Sequence, residues 1–190
     1  LATAALYVGI PYCPVSTAYS TVAQDFGKLK HIIDTLNPGL IFAANGAMYE
    51  RAIDSVVSID TPVVLTCGEL QKRRHISFED LCQPIDTRDA LAAFEQVQPS
   101  TIAKFLFTSG STKLPKAVVT TQQMLCANQQ MLRQTFPEFI EEPPVLVDWL
   151  PWNHTFGGNH NFGLTIFHGG TLYIDDGKPV PALVGETLRN

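Results

Sequence analysis

Apolar side chains recur at steps of three and four through Val22, Phe26, Leu29, Ile33 and Leu36. That spacing predicts one face of a helix, opened near Ser20 and ended by Asn37-Pro38-Gly39. The pattern then changes to a continuous apolar run over 40–44, the mark of a strand covered on both faces. A helix over 48–57 leads to a second such run at 62–66. Residues 68–85 are polar and irregular, and the cluster Lys72-Arg73-Arg74-His75 reads as part of a surface loop. A helix over 86–97 turns Leu91 and Phe94 inward. The clearest strand covers 102–107, and extended structure resumes at 117–120. Thr120 and Gln123 have the spacing of a capping box, opening a helix through Met124, Leu125, Met131, Leu132 and Phe136. A strand over 145–150, a Gly-rich entry to a helix over 161–167 and a strand over 171–174 complete the pattern. Strand and helix alternate throughout, which predicts an α/β fold of layered, parallel-rich sheets with flanking helices. No internal repeat interrupts it.

Composition narrows the picture. The chain has 190 residues, 45% hydrophobic and 16% charged, enough for a sizeable core and too apolar for general disorder. A formal net charge of -5 leaves no basic block to neutralise a nucleic-acid backbone. No apolar run approaches the roughly 18 residues that span a bilayer, and no basic-then-apolar leader opens the chain, so the expectation is a cytoplasmic protein with no membrane partner. Cys13, Cys67, Cys82 and Cys126 stand singly, suit neither zinc nor a disulfide framework, and read as small buried apolar residues. His31, His75, His160 and His168 have no partner at metal-ligand spacing and read as structural. The start reads as the tail of a helix and the end as the inside of another, so the chain is expected to be a segment of a larger protein; the alternative is a complete small domain with a processed N-terminus.

The chemistry concentrates after the strand at 102–107, in Thr108-Ser109-Gly110-Ser111-Thr112-Lys113-Leu114-Pro115-Lys116. Ligands bind where strands of open α/β sheets end. Small residues let backbone N–H groups approach an anion, hydroxyls add donors, and Lys116 adds a mobile charge. Each hydrogen bond to a charged group contributes about 1.5–3 kcal/mol, so four or five could hold a triphosphate. By itself such a stretch is often an ordinary turn. It is not a kinase-type P-loop: from Gly110 the second glycine falls at Pro115, and Ala117 stands where the metal-binding hydroxyl belongs. Downstream, Trp149-Leu150-Pro151-Trp152-Asn153-His154-Thr155-Phe156-Gly157-Gly158 follows a strand, placing His154 and Phe156 before a Gly-Gly hinge where side chains can line a cleft. The alternative is a packed surface aromatic with a satisfied histidine.

The order of residues in the first loop resembles the signature of the adenylate-forming enzymes, a superfamily of acyl-CoA synthetases, luciferases and peptide-synthetase adenylation domains. The match covers Thr108, Ser109, Gly110, Ser111, Thr112, Pro115, Lys116 and the apolar Val118. Lys113 departs from it, standing where that family has glycine. If the position needs a left-handed backbone, a lysine there costs roughly 1–2 kcal/mol. Pro151 through Gly157 is similar to the family's Pro-x-x-His-x-Phe/Tyr-Gly segment. The wording around 152–161 and 169–177, with Gly9 to Ser16 near the start, looks most like feruloyl-CoA synthase, Asn153 excepted.

The resemblance implies that residues 1–190 form part of the large N-terminal, AMP-binding domain, with the C-terminal lid domain absent from the chain. It implies ATP, Mg²⁺ and coenzyme A as co-substrates and a small carboxylic acid, feruloyl or a related aromatic acid, as the group activated. Thr108, Ser109, Gly110, Ser111, Thr112, Lys113 and Lys116 would close over the ATP phosphates, with Thr112 toward the metal. Lys116 and His154 would be catalytic, and His154, Thr155, Phe156 and Gly157 would meet the acid. Adenine, ribose and thiol contacts are expected outside this segment, which alone should be inactive. Two other readings stand beside the acid–CoA ligase: a non-catalytic phosphate-binding remnant, and an adenylation module that loads a carrier-protein thiol.

Overall fold

The structure is a computed structural model, and it describes residues 1–83, 86–108, 114–175 and 185. Along the chain run α1 (Ala2–Tyr7), α2 (Ala18–Thr21), α3 (Gly27–Leu36), β1 (Ile41–Asn45), α4 (Gly46–Val56), β2 (Val63–Cys67), β3 (Ile76–Ser77), α5 (Phe78–Leu81) and α6 (Arg88–Glu95). There follow β4 (Ile102–Thr108), β5 (Lys116–Thr121), α7 (Gln122–Thr135), a 3-10 turn (Pro137–Ile140), β6 (Val145–Asp148), a π-helical turn (Phe156–Asn161), α8 (Phe162–His168) and β7 (Thr171–Ile174). The α/β fold with parallel sheets is as the alternation predicts. The chain divides into two compact units, one of Val15–Asp89 with Phe107–Lys116, the other of Leu1–Pro14, Ala90–Leu106 and Ala117–Asn190.

The first of these units is built on a sheet in the order β1-β2-β3. Both pairings are parallel, with Ile41 beside Val63 and Val64 beside Ile76. Val63, Val64 and Leu65 of the central strand are 0–2% exposed. Val63 and Leu65 meet a core that includes Ala43, Ile53 and Leu70, while Val64 alternates to the other face. The first strand is not covered on both faces: β1 lies at the end of the strand order, Ala43 turns into the core with Ile41 packed against it, and Phe42, on the other face, is 47% exposed. Asn45 ends β1 and starts α4 in one residue, its side chain accepting the Met48 N–H at 3.0 Å.

Two other expectations change in this unit. The helix expected from Ser20 is broken at 22–26, leaving Val22 exposed. It restarts at Gly27, whose N–H donates to the Asp25 carboxylate at 3.0 Å, and buries Leu29 and Ile32. The segment at 68–85 is not simply a loop, since it carries β3, α5 and the buried Leu70. Arg73, read as a solvated charge, is buried and donates to the carbonyls of Val57 (3.4 Å) and Ser58, closing the C-terminal end of α4.

In the other unit β6 and β7 pair in parallel, Val145 beside Thr171 through Asp148 beside Ile174. The connection between them holds the π turn and α8. Tyr12 bridges to Lys104 in parallel, bringing the N-terminal segment against β4. Leu91 and Phe94 are half exposed rather than inward, and Phe94 stacks on Tyr7 with ring centres 4.5 Å apart. The capping residue of α7 is Thr121, not Thr120: Thr121 Oγ accepts from the Met124 N–H at 3.3 Å, while Gln123 N–H is taken by the Pro99 carbonyl. Cys67, Cys82 and Cys126 are exposed and Cys13 is half-buried, so burial does not account for the cysteines. Among the described residues no helix is long and apolar enough to cross a membrane.

Candidate functional site

Strand β4 delivers the chain to the loop. Ala103, Lys104 and Leu106 are buried, and the strand ends on Thr108 with its side chain exposed. Ser109, Gly110, Ser111, Thr112 and Lys113 lie outside the described residues. Of the residues that follow, Pro115 is buried, and Lys116, exposed, opens β5, which pairs with β4. The exit of the loop has an anchor that sequence reasoning missed. His31 Nε2 lies 3.0 Å from the Pro115 carbonyl. A carbonyl can only accept, so this nitrogen carries the proton. The same ring meets Phe107 edge-on with centres 6.5 Å apart. A single histidine on an amphipathic helix gave no signal for this role.

The second motif is a turn built from its backbone outward. Asp148, at the end of β6, accepts from Leu150 N–H and Asn161 Nδ2, both at 3.0 Å, and so closes the base of the segment. His154 N–H donates to the Pro151 carbonyl at 3.0 Å, and Gly158 N–H to the His154 carbonyl at 2.9 Å. The Gly-Gly pair is not a hinge. Gly157 and Gly158 are buried, and a Cβ on Gly157 would lie 2.9 Å from the Leu150 carbonyl oxygen. A Cβ on Gly158 would overlap the Trp152 carbonyl. Glycine is required there so that the turn can fold back on its own backbone. The turn leaves His154 and Thr155 exposed, and Phe156 is 57% exposed with its ring stacked on His160 at 4.7 Å. His154, Thr155, Phe156 and Gly157 therefore come together on one turn, three of them open to a ligand.

Beneath this turn sits a residue the sequence reading passed over. Lys104 is 1% exposed, yet its Nζ donates to the Gly158 carbonyl at 2.7 Å and reaches the Tyr12 hydroxyl at 3.4 Å. The ammonium also lies 5.6 Å from the centre of the Tyr12 ring, a cation–π distance. No ion pair among the described residues includes it. Burial lowers its pKa from 10.5 to about 8, so it is mostly charged at neutral pH. The signal was present: one lysine inside Ile102-Ala103-Lys104-Phe105-Leu106-Phe107 is a charge at a position whose neighbours are core.

The donors on either side of residues 109–113 fit a phosphate. Thr108 and Lys116 present a hydroxyl and an ammonium from the ends of two paired strands. Among the described residues no group of three His, Cys, Asp or Glu side chains could hold a metal ion.

The AMP-binding enzyme family matches residues 1–189, and the chain belongs to that family of adenylate-forming enzymes. It is similar, at 40% identity over 60 residues, to a medium-chain-fatty-acid–[acyl-carrier-protein] ligase of Teredinibacter turnerae, which covers 32% of this chain and 9% of the relative. Its fold is similar to that of ATP-bound MatB from Rhodopseudomonas palustris (TM-score 0.69, 20% identity, 100% of this chain and 35% of that one). It is similar too to o-succinylbenzoate CoA synthetase of Bacillus subtilis, solved with its acyl-adenylate intermediate (TM-score 0.63, 15% identity, 99% and 42%). The chain thus spans between a third and a half of the length of these structures; of the relatives named, one is an acyl-carrier-protein ligase and one a CoA synthetase.

Proposed function

We propose that this chain is the phosphate-handling part of an ATP-dependent acid–CoA ligase, supplying part of its larger domain. The observation that carries this reading is the family match through residues 108–116, the stretch that follows β4. A carboxylate does not react with a thiol at neutral pH. In the reading offered here, a carboxylate oxygen attacks the α-phosphorus of ATP, the bond to the β-phosphate oxygen breaks, and pyrophosphate leaves with its charge held by the loop. The thiol sulfur of coenzyme A then attacks the acyl carbon, its proton is lost, and AMP departs. Such transfers depend on positioning and charge neutralisation. Thr108, Ser109, Gly110, Ser111, Thr112 and the backbone N–H of Lys113 would donate to the phosphates, Lys116 would neutralise developing charge, and the Thr112 hydroxyl would face Mg²⁺. His154, Thr155, Phe156 and Gly157 would form a wall of the acid site.

The similarity of 152–161 and 169–177 to feruloyl-CoA synthase supports an aromatic acid as substrate. The carrier-protein relative of Teredinibacter turnerae favours a second reading, in which the thiol belongs to a carrier protein. The test is ATP–pyrophosphate exchange by the intact gene product that contains these residues. Ferulate and medium-chain fatty acids serve as acids, and coenzyme A and a carrier protein as acceptors. Exchange that depends on ferulate, with AMP released on adding coenzyme A, is expected; no exchange with any carboxylic acid overturns the reading. The 190 residues alone should bind Mg-ATP weakly in titration calorimetry and release no pyrophosphate.

A further inference from the structure

We propose that Lys104 is a positioning residue for the acid site: its ammonium, held over Tyr12, fixes the Gly158 carbonyl and with it the turn that presents His154 and Phe156. The inference rests on the acid-site role proposed above for that turn.

Three observations carry it. The contact at 2.7 Å joins residues 54 apart in sequence, one in a strand and one inside the π turn. Lys104 is among the largest fully buried side chains, so its head group is held rather than snorkelling to water. Gly158 cannot move away cheaply, because its N–H is donated to the His154 carbonyl and its Cα packs against Trp152. A shift of Gly158 is therefore passed to His154, four residues earlier, whose carbonyl accepts the Gly158 N–H at 2.9 Å. A buried polar group left unpaired is costly, so this bond ties β4 to the turn. The side chain is too buried to touch a substrate, so its effect passes through the turn.

The test compares Lys104→Met, similar in length but without a donor, and Lys104→Arg, which keeps the cation, in the intact gene product. Steady-state exchange is measured with ATP and acid varied separately, alongside tryptophan emission, since Trp149 and Trp152 flank the turn. Lys104→Met should raise KM for the acid at least tenfold, keep KM for ATP within about twofold and red-shift the emission. Lys104→Arg should recover both within about threefold. If Lys104→Met does not fold, Lys104→Gln is measured in its place with the same expectations. An unchanged KM for the acid, or equal rises in both KM values, overturns the proposal. Should the wild-type protein show no acid-dependent exchange, the ligase reading itself fails. The emission of the variants then still decides whether Lys104 holds the turn: no shift overturns it.

Discussion

Lys104 should make stability rise with pH in a narrow and measurable window. Its pKa is about 8 in the folded chain and 10.5 in the unfolded one. Below pH 8 both states carry the charge and the folded state bears the whole cost of burying it. Between 8 and 10.5 the unfolded state binds more protons, so unfolding becomes harder as pH rises. The full gain is about 3 kcal/mol. Two neighbouring residues act in the opposite sense. Burial raises the Cys13 thiol from 9.0 to about 11 and also raises the Tyr12 phenol. The folded state keeps those protons longer, so their contributions fall as pH passes the unfolded values. Between pH 7.5 and 9 the lysine dominates, with a gain of about 1 kcal/mol against a loss of roughly 0.4 kcal/mol from Cys13. Urea unfolding followed by tryptophan emission reads this directly. In a Cys13→Ala background the midpoint should move up by roughly 0.5 M for a slope of about 2 kcal/mol/M. Adding Lys104→Met should abolish the movement. An equal rise in the double variant would refute the argument, because the proton would then be on another group.

Gly158→Ala should destabilise the chain by about 1–3 kcal/mol, read as a lowered urea midpoint, because the added Cβ meets the Trp152 backbone rather than a flexible side-chain end; a neutral result would mean that the turn has room to open. Lys113→Gly, which restores the residue found in related loops, should leave the rate of pyrophosphate exchange unchanged or raise it. A loss beyond about tenfold would make the Lys113 ammonium a phosphate ligand in its own right.

Much of the scaffold was legible because apolar runs bounded by turn residues leave little choice of register. β4 and β7 begin and end within a residue of their expected limits, and the parallel pairing of β6 with β7 follows from the helical connection between them. Other features depend on neighbours that a linear pattern does not name. The run at 40–44 cannot show that it lies at the end of the strand order, which leaves Phe42 half exposed. Val22 falls at helical spacing, yet Asp25 captures the Gly27 N–H and the helix starts afresh there. Arg73 looked solvated until two carbonyls at the end of α4 were placed beside it. Of the site, His154 and Phe156 were legible as neighbours in a motif, whereas the closure of their turn through Asp148, Gly157 and Gly158 required coordinates. His31 and Lys104 act across 84 and 54 residues, distances at which spacing carries no information.

Packing alone does not account for Lys104. A methionine would fill the same space without the desolvation cost of about 3 kcal/mol that the lowered pKa implies at neutral pH. Against that, removing the donor leaves the Gly158 carbonyl without its buried partner, a loss of about 1–3 kcal/mol. The two effects nearly cancel, and replacing a buried charge by an apolar residue is often neutral or stabilising. Lys104→Met is therefore expected to keep its stability at pH 7 while loosening the turn. A merely structural lysine would lose stability and function together; a positioning lysine loses function with stability intact, and the direction of that divergence separates the two roles.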